Sequence, residues 1–314
     1  MGIRATAYKL INSPFQMEKI KTYSLDKRKP IEELYDSYAG LAKNGWLFEI
    51  IYLQPDEVSG QKISLPILCY RTPKKGKALW LIAGIHGEEP AGPNAIAENI
   101  AYLNLLKNRG IPMVVLPLCN PKGYRKNWRY PTRKRISRNN RLNLSVGSAI
   151  HLLPSRENPK KPRQKKPECP EADAILSYAL KIFPQYPPRL VIDLHEDESI
   201  TAPYIYSQGM LGAEDPVARK IAELIGRRFP LKKTGKTQFG EFIREGIISW
   251  TRDSSIDEFL AADRIIVKGK NVNGPAAKTV VVAETPIPEI SLKRRAAVHG
   301  NIIKSLNKFW KMVR

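Results

Sequence analysis

The chain has 314 residues, 42% of them hydrophobic, and a formal net charge of +22 at neutral pH. This length and apolar content predict a globular protein with a large core, and no apolar run approaches the roughly 18 residues of a membrane span. The N-terminus has no signal-peptide core, so we expect a cytoplasmic protein. The three cysteines are odd in number and lack metal-ligand spacing, which argues against a disulfide framework.

The excess of basic residues can indicate a nucleic-acid or anionic-surface partner. It is scattered along the chain, with dense patches at Tyr124–Arg141 and Arg156–Lys166, and no RNA- or DNA-binding motif accompanies it. A solvated basic face explains the same composition. We therefore disfavour nucleic acid as the main partner.

The first half of the chain alternates predicted helices and strands. Residues 1–45 predict a packed N-terminal helical arm, in which Pro30 begins a short helix that ends at Leu41. Residues 46–314 then form the predicted catalytic domain. Its first apolar runs predict strands at Leu47–Leu53, Ile63–Tyr70, Leu79–Ile85 and Ile111–Leu118, with a helix at Ala91–Lys107. The basic segment Arg125–Arg141 has almost no apolar periodicity and predicts a loop.

The second half continues the alternation after an exposed Pro- and Lys-rich loop at Arg156–Pro170. Strands are predicted at Arg189–His195, Arg264–Lys268 and Lys278–Val282, and helices at Ala172–Phe183, Pro216–Phe229 and Ile290–Trp310. Residues 230–275 give no clear pattern apart from the Arg264 strand. Alternating strands and helices predict an α/β fold with a largely parallel central sheet.

Metal-capable side chains follow three of these apolar strands. His86 and Glu89 come directly after the predicted strand Leu79–Ile85. His195 ends the strand Arg189–His195, and Glu284 follows the strand Lys278–Val282. The carboxyl ends of strands are where open α/β sheets place their active sites. Two histidines and one carboxylate are a common ligand set for catalytic zinc, and a further carboxylate nearby can accept a proton from the metal-bound water.

Short motifs in this order resemble those of the zinc carboxypeptidase superfamily, including its succinylglutamate desuccinylase/aspartoacylase branch. The resemblance spans roughly residues 45–310, and the motifs are Gly84-Ile-His86-Gly-Glu-Glu89-Pro-Ala-Gly, Asn120-Pro-x-Gly-Tyr124, Trp128-Arg129, Asn140-Arg141, Asp193-Leu-His195 and Ala283-Glu284-Thr-Pro. It implies a three-layer α/β/α sandwich on a mostly parallel mixed sheet.

The resemblance also implies roles for individual residues. His86, Glu89 and His195 would bind Zn²⁺, and Glu284 would be the general base and later the proton donor. Arg129 would steady the oxyanion. Asn140 and Arg141 would clamp a substrate carboxylate.

Two departures from the family pattern affect these assignments. The acidic residue that the family often places two positions before its Asn-Arg pair is Arg138 here, so Asn143 or Arg138 could replace Asn140-Arg141 as the clamp. No tyrosine lies between Tyr206 and Glu284, so the phenol that carboxypeptidases swing over the substrate is missing. This absence favours a peptidoglycan-peptide amidase or an acyl-amino-acid deacylase over a digestive-type carboxypeptidase.

Three hypotheses follow. The first is a zinc-dependent hydrolase that cleaves an amide bond next to a carboxylate-bearing residue, in the manner of a metallocarboxypeptidase. The second is an N-acyl amino acid deacylase, and the third is a basic binding protein with a vestigial or structural metal site. A structural zinc would be expected to have four protein ligands, usually including cysteines. No cysteine lies beside these strand ends in sequence, which disfavours the third hypothesis.

Overall fold

A computed structural model describes residues 26–132, 144–237 and 239–313 of the chain. Ten strands form one sheet in the order β1-β2-β4-β3-β5-β12-β6-β9-β8-β7, and β10 and β11 pair separately. The strands are β1 Leu47–Val58, β2 Gln61–Arg71, β3 Ala78–Ala83, β4 Met113–Leu116, β5 Pro188–Asp197, β6 Ile205–Ser207, β7 Thr234–Lys236, β8 Phe242–Arg244, β9 Ile247–Ser249, β10 Arg264–Val267, β11 Lys270–Asn273 and β12 Thr279–Pro286.

Helices cover both faces of the sheet. They are α1 Ile31–Lys43, α2 Ala91–Glu98, α3 Ile100–Asn108, α4 Pro121–Lys126, α5 Pro170–Ile182, α6 Pro216–Gly226, α7 Ile256–Ala261, α8 Leu292–Lys304 and α9 Leu306–Met312, with a short 3₁₀ turn at Gly212–Glu214. One apolar core joins the sheet to α1, α3, α6, α8 and α9, and a second core joins the opposite face to α5 and α7. The predicted α/β/α sandwich is confirmed.

The parallel centre of the sheet consists of β4, β3, β5 and β12. Every residue of β3 is buried, as are all four of β4, which is what a strand covered by helices on both faces requires. The carboxyl ends of these parallel strands therefore meet at one edge, and this arrangement positions the site.

The prediction that the sheet is mostly parallel was wrong outside this centre. Of its nine strand pairings, four are parallel and five are antiparallel. The long β1–β2 hairpin closes one side antiparallel to β4, and the strands from β6 to β7 form a mixed extension on the other side. Strands of three residues such as β7, β8 and β9 carry too short an apolar pattern to be read from sequence.

Two predicted helices are each broken in two. Asn99 separates α2 from α3, and Ser305 separates α8 from α9. The predicted strand after α3 begins later, at Met113, and Asn120 caps the short helix α4 by accepting from Gly123 N–H at 3.0 Å. Helix α1 shares the main apolar core, while the division into an arm of residues 1–45 and a catalytic domain of 46–314 stays a prediction.

None of the described helices is long and apolar enough to cross a membrane. All three cysteines are buried with free thiols, in agreement with the prediction from their number and spacing.

Candidate active site

A cleft of about 750 Å³ opens at the carboxyl ends of β3, β5 and β12. Its lining includes His86, Arg129, His195 and Glu284. Side chains from three separate strand ends are thus brought together at the sheet edge where the sequence predicts them.

The turn after β3 holds the first two candidate ligands. Gly84 has φ of +68°, a left-handed conformation that favours glycine, and it turns the chain out of the sheet. Glu89 N–H donates to His86 O at 3.3 Å, and Pro90 then precedes α2. This tight turn places Nδ1 of His86 2.6 Å from Oε1 of Glu89.

The end of β5 brings the third candidate ligand to the same place. Nδ1 of His195 lies 2.9 Å from Oε2 of Glu89, and the two imidazole rings are 5.1 Å apart between centroids. One donor atom from each of His86, Glu89 and His195 can be chosen so that all three lie within 4.8 Å of one another. Two imidazole nitrogens and a carboxylate are the donor set of catalytic zinc sites, so these residues fit the ion that the fold family implies.

Glu284 reaches the cleft because of the sheet register. It lies beside His195 in the parallel β5–β12 pairing, so both side chains project from the same face. Its Oε2 is buried and accepts no hydrogen bond from a described residue. Burial raises the pKa of Glu284 to about 8, with Glu89 adding to the shift and His195 opposing it.

Arg129 is carried by the segment that follows α4. Its Nη1 lies 3.0 Å from carboxylate oxygens of both Glu88 and Glu89, and its backbone oxygen accepts from Asn120 Nδ2 at 3.2 Å. Burial lowers the pKa of Arg129, but Glu89 and Glu88 reverse this effect and hold it above its usual value. The guanidinium is a fixed cation at the cleft wall.

The two candidate ligand histidines have opposite pKa shifts. Burial, together with nearby Arg129, lowers the pKa of His86 to about 4. Burial also lowers the pKa of His195, but Asp193 and Glu89 outweigh it and raise the net value well above normal. Burial likewise opposes ionisation of Glu89, whereas His86 and His195 hold its pKa well below the usual range.

The His86 turn is seated against α4 by close backbone contact. A side chain at Gly87 would overlap the backbone of Gly123, and one at Gly123 would meet Asn120 and the backbone oxygen of Trp128. Buried Arg28 adds a second attachment: its Nη1 donates to the backbone oxygens of Gly87 at 2.9 Å and Tyr124 at 2.6 Å. The predicted arm therefore touches the loop that carries the site.

Two further sequence predictions concern the clamp for the substrate carboxylate and the missing tyrosine. Asn140 and Arg141, the predicted carboxylate clamp, lie outside the described residues, as do Arg138 and Asn143. The cleft is lined by two tyrosines, Tyr130 and Tyr206, so phenols are present even though none lies between Tyr206 and Glu284 in sequence.

Sequence analysis assigned no role to two carboxylates, Asp193 and Asp257, that lie close to His195 in the structure. Asp193 is fully buried and Asp257 is 4% exposed. Burial and Asp193 raise the pKa of Asp257 well above its usual value. A carboxylate inside the apolar run Leu190–Leu194 was a usable signal for Asp193, whereas Asp257 had none. Together these residues form the cleft cluster, defined as His86, Glu89, Asp193, His195, Asp257 and Glu284.

The next residue along β5, Glu196, belongs to a different group. It forms an ion pair with Arg295 of α8 and accepts from Ala91 N–H at 2.6 Å. Nearby, Nε2 of His299 lies 3.1 Å from Thr285 Oγ1. We call Glu196, Thr285, Arg295 and His299 the helix-side cluster. Because its carboxylate is already paired, Glu196 is a poor candidate for a general base.

Comparison with known proteins gives one family match. Residues 75–209 match the succinylglutamate desuccinylase/aspartoacylase catalytic domain, a segment that contains His86, Glu89, Arg129 and His195. A comparison with curated protein sequences gave no match.

Solved structures with the same fold include a candidate metallopeptidase from Shewanella amazonensis, which is 21% identical, with a TM-score of 0.66 over 89% of this chain and 92% of the other. A metallo-carboxypeptidase from Burkholderia cenocepacia is 13% identical, with a TM-score of 0.57 over 90% of this chain and 70% of that one. Bovine thrombin-activatable fibrinolysis inhibitor is 13% identical, with a TM-score of 0.58 over 92% and 98% of the two chains.

At these identities the solved structures establish the fold, and the family match adds a likeness to a hydrolase catalytic domain over residues 75–209. Together they confirm the predicted resemblance of this chain to the zinc carboxypeptidase superfamily, including its succinylglutamate desuccinylase/aspartoacylase branch.

Proposed function

We propose that this chain is a zinc-dependent hydrolase that cleaves an amide bond next to a carboxylate-bearing residue. The observation that carries the proposal is the meeting of His86, Glu89 and His195, whose donor atoms come within 4.8 Å of one another, with Glu284 beside them in one cleft. The hydrolase family match supports the same class of enzyme.

In this proposal His86, Glu89 and His195 hold the zinc ion. Bound zinc would supply Lewis-acid polarisation of the substrate carbonyl and would acidify a water molecule. Glu284 would accept a proton from the attacking water and pass it to the leaving amine. Its buried Oε2 accepts no hydrogen bond from the part of the chain that the structure describes, and its pKa is raised to about 8. Both observations support this role, because a general base works best when its pKa is near the operating pH.

Arg129 and the Asn140-Arg141 pair would bind negatively charged groups of the substrate. The Arg129 guanidinium is held within 3.0 Å of Glu89, beside the proposed zinc ligands, where it would stabilise the developing oxyanion. Asn140 and Arg141 would bind the substrate carboxylate, and this assignment rests on the sequence alone.

The substrate is a peptide or an acyl amino acid that carries a carboxylate. Peptides of the peptidoglycan type are the first candidates, cleaved as a carboxypeptidase would cleave them. N-acyl amino acids are the second, and the family match favours this class. The cytoplasmic location stays a prediction.

The test begins with metal analysis of the purified protein, with about one zinc ion per chain expected. The zinc protein is then given two substrate sets: short peptides with a free terminal carboxylate, and N-acyl amino acids. Each substrate is paired with its amide, and Glu284→Gln serves as the matched inactive control.

Release of a C-terminal residue from peptides would support the carboxypeptidase hypothesis, and release of the acyl group alone would support the deacylase. Zinc binding without hydrolysis of either set would favour a basic binding protein with a vestigial site. Absence of zinc would contradict the carboxypeptidase and the deacylase assignments alike.

A further inference from the structure

His195 has a polar contact at each ring nitrogen. Nδ1 lies 2.9 Å from Glu89 Oε2, on the side of the proposed zinc ion. Nε2 lies 3.1 Å from Asp193 Oδ2, on the buried side. A neutral imidazole carries a proton on one nitrogen and a lone pair on the other, so the group beside Nε2 decides which nitrogen can bind metal.

Asp193 occupies a position that is unfavourable for a carboxylate. It lies in the middle of β5, with Ile82 and Val282 opposite it on the neighbouring strands, and it is completely buried. Neither of its oxygens accepts a well-aligned hydrogen bond from a described residue. Burial of a carboxylate without hydrogen bonds is strongly unfavourable, and the contact with His195 Nε2 is the main interaction among the described residues that offsets it.

Asp257 approaches the same place from another element. It lies in the first turn of α7, is 4% exposed, and its Oδ1 accepts no hydrogen bond from a described residue. Oxygens of Asp193 and Asp257 and a ring nitrogen of His195 come within 4.8 Å of one another. The helix is fixed by its Ser255 cap, which accepts from Glu258 N–H at 3.2 Å, and by buried Phe259.

Two interpretations can account for these buried carboxylates. The three groups could hold a second cation, but His195 would then have to bind one ion through each nitrogen, which a neutral imidazole cannot do. The other interpretation needs no second ion. Negative charge on the Nε2 side favours the tautomer with its proton on Nε2, which leaves the Nδ1 lone pair free for the zinc ion.

We propose that Asp193 and Asp257 are positioning residues that orient His195 and set its tautomer for metal binding. The Asp193 carboxylate lies 3.1 Å from Nε2 and attracts the proton there, and Asp257 lies against the same pair, with polar atoms of all three residues within 4.8 Å of one another. This inference rests on the proposed role of His195 as a zinc ligand. It predicts that the two carboxylates act through zinc affinity, although neither belongs to the proposed ligand set.

The test measures zinc affinity by competition with a chelator of known affinity, in the full chain and in Asp193→Asn and Asp257→Asn. We expect Asp193→Asn to weaken zinc binding about 10- to 100-fold, as loss of a carboxylate behind a ligand histidine typically does, and Asp257→Asn to weaken it less. Asp173→Asn is the matched control, because Asp173 faces His151 at 3.9 Å on the surface. Its zinc affinity should not change.

Cobalt substitution gives a second readout, since the visible spectrum of bound Co²⁺ should shift in both variants and not in the control. If Asp193→Asn does not fold, Asp257→Asn still decides the question. Unchanged zinc affinity in the folded variants would overturn this inference while leaving the proposed hydrolase intact. Two zinc ions per chain, one of them lost in Asp257→Asn, would also overturn it, and absence of zinc in the unaltered protein would instead remove the proposed function with it.

Discussion

His195 and Glu196 are neighbours on β5 but belong to two different buried polar clusters, which differ in the balance of their charges. Successive strand residues point to opposite faces of a sheet, and the β12 partners repeat this division, with Glu284 beside His195 and Thr285 beside Glu196. In the helix-side cluster, the Glu196 carboxylate meets the Arg295 guanidinium and a backbone N–H. The charges there are matched.

The cleft cluster is not matched in this way. Its four carboxylates are Glu89, Asp193, Asp257 and Glu284, and among the described residues one guanidinium, that of Arg129, lines the cleft with them. A matched buried pair is costly to break and serves the fold. Buried carboxylates in excess of cations must instead bind a proton, as the raised pKa values of Asp257 and Glu284 indicate, or bind a cation. The two clusters therefore differ in how their charges are balanced, as their proposed roles predict.

Loss of a proposed zinc ligand should have the largest effect. We expect His86→Ala and His195→Ala to lose most of the bound zinc and to reduce hydrolysis to background, because only three protein ligands hold the ion. Zinc per chain is measured by atomic emission after dialysis. Glu196→Gln, one residue away on the other face, is the control and should keep its zinc. Stoichiometric zinc in both histidine variants would contradict the assignment of the zinc site to the cleft cluster.

Glu284→Gln should leave zinc bound while turnover falls about 10²- to 10⁴-fold, the usual contribution of a general base. The amide keeps the size of the side chain but cannot accept a proton at neutral pH. Turnover and zinc content are measured on the same preparation. Full turnover with zinc bound would show that another group is the base.

Arg129→Ala should lower kcat about 10²- to 10³-fold with little change in KM, because the charge that the guanidinium meets exists only after the carbonyl is attacked. Steady-state kinetics on one carboxylate substrate give both constants. Arg129→Lys, which keeps the charge without the planar fork, is the matched comparison. Equal small effects on kcat and KM would assign Arg129 to a solvated basic face.

Arg141→Ala should mainly raise KM, by about 10- to 100-fold, which corresponds to the loss of a hydrogen bond to a charged group. Amidation of the substrate carboxylate should mimic the substitution and add nothing to it in the variant. Arg138→Ala tests the alternative clamp in the same assay. A KM effect in Arg138→Ala alone would move the clamp to that residue.

The smallest effect concerns the helix-side cluster and pH. Burial, aided by Arg295, lowers the pKa of His299 from 6.5 to about 3, so between these values the unfolded chain binds more protons than the folded one. The free energy of unfolding should therefore fall as pH falls through this window, by at most about 1.4 kcal/mol per pH unit. Urea unfolding of His299→Gln should show a flatter pH slope than the unaltered chain. Burial also lowers the pKa of His151, so His151→Gln should flatten the slope as well, but less than His299→Gln does. An unchanged slope in His299→Gln would contradict the assignment.

Much of the centre of this fold could be predicted from sequence because its signals are local. The apolar run before His86 and the run that ends in His195 each specify a buried strand, and polar residues at their ends then mark one edge of the sheet. The short strands β7 to β9 carry no comparable run, so the mixed extension from β6 to β7 was missed.

The site was predicted where its residues end strands or, as with Arg129, where they belong to a motif of the family that the sequence resembles. Asp257 comes from the first turn of a helix more than fifty positions beyond His195 in the sequence, and nothing in its neighbours marks it as part of the site. The role of Arg28 could not be predicted either, because its contacts with Gly87 and Tyr124 join residues that are far apart in the sequence. Tertiary approach, and not local pattern, decides such residues.

The backbone contact between Gly87 and Gly123 has a consequence for how related sequences evolve. Gly87 packs against the main chain of Gly123 and Tyr124, and Gly123 packs against Asn120 and the backbone oxygen of Trp128. These contacts seat the His86 turn on α4 without using the side chain of His86. A homologue could therefore lose His86 by substitution and keep both glycines, because the packing of the main chain selects them independently of the proposed metal site.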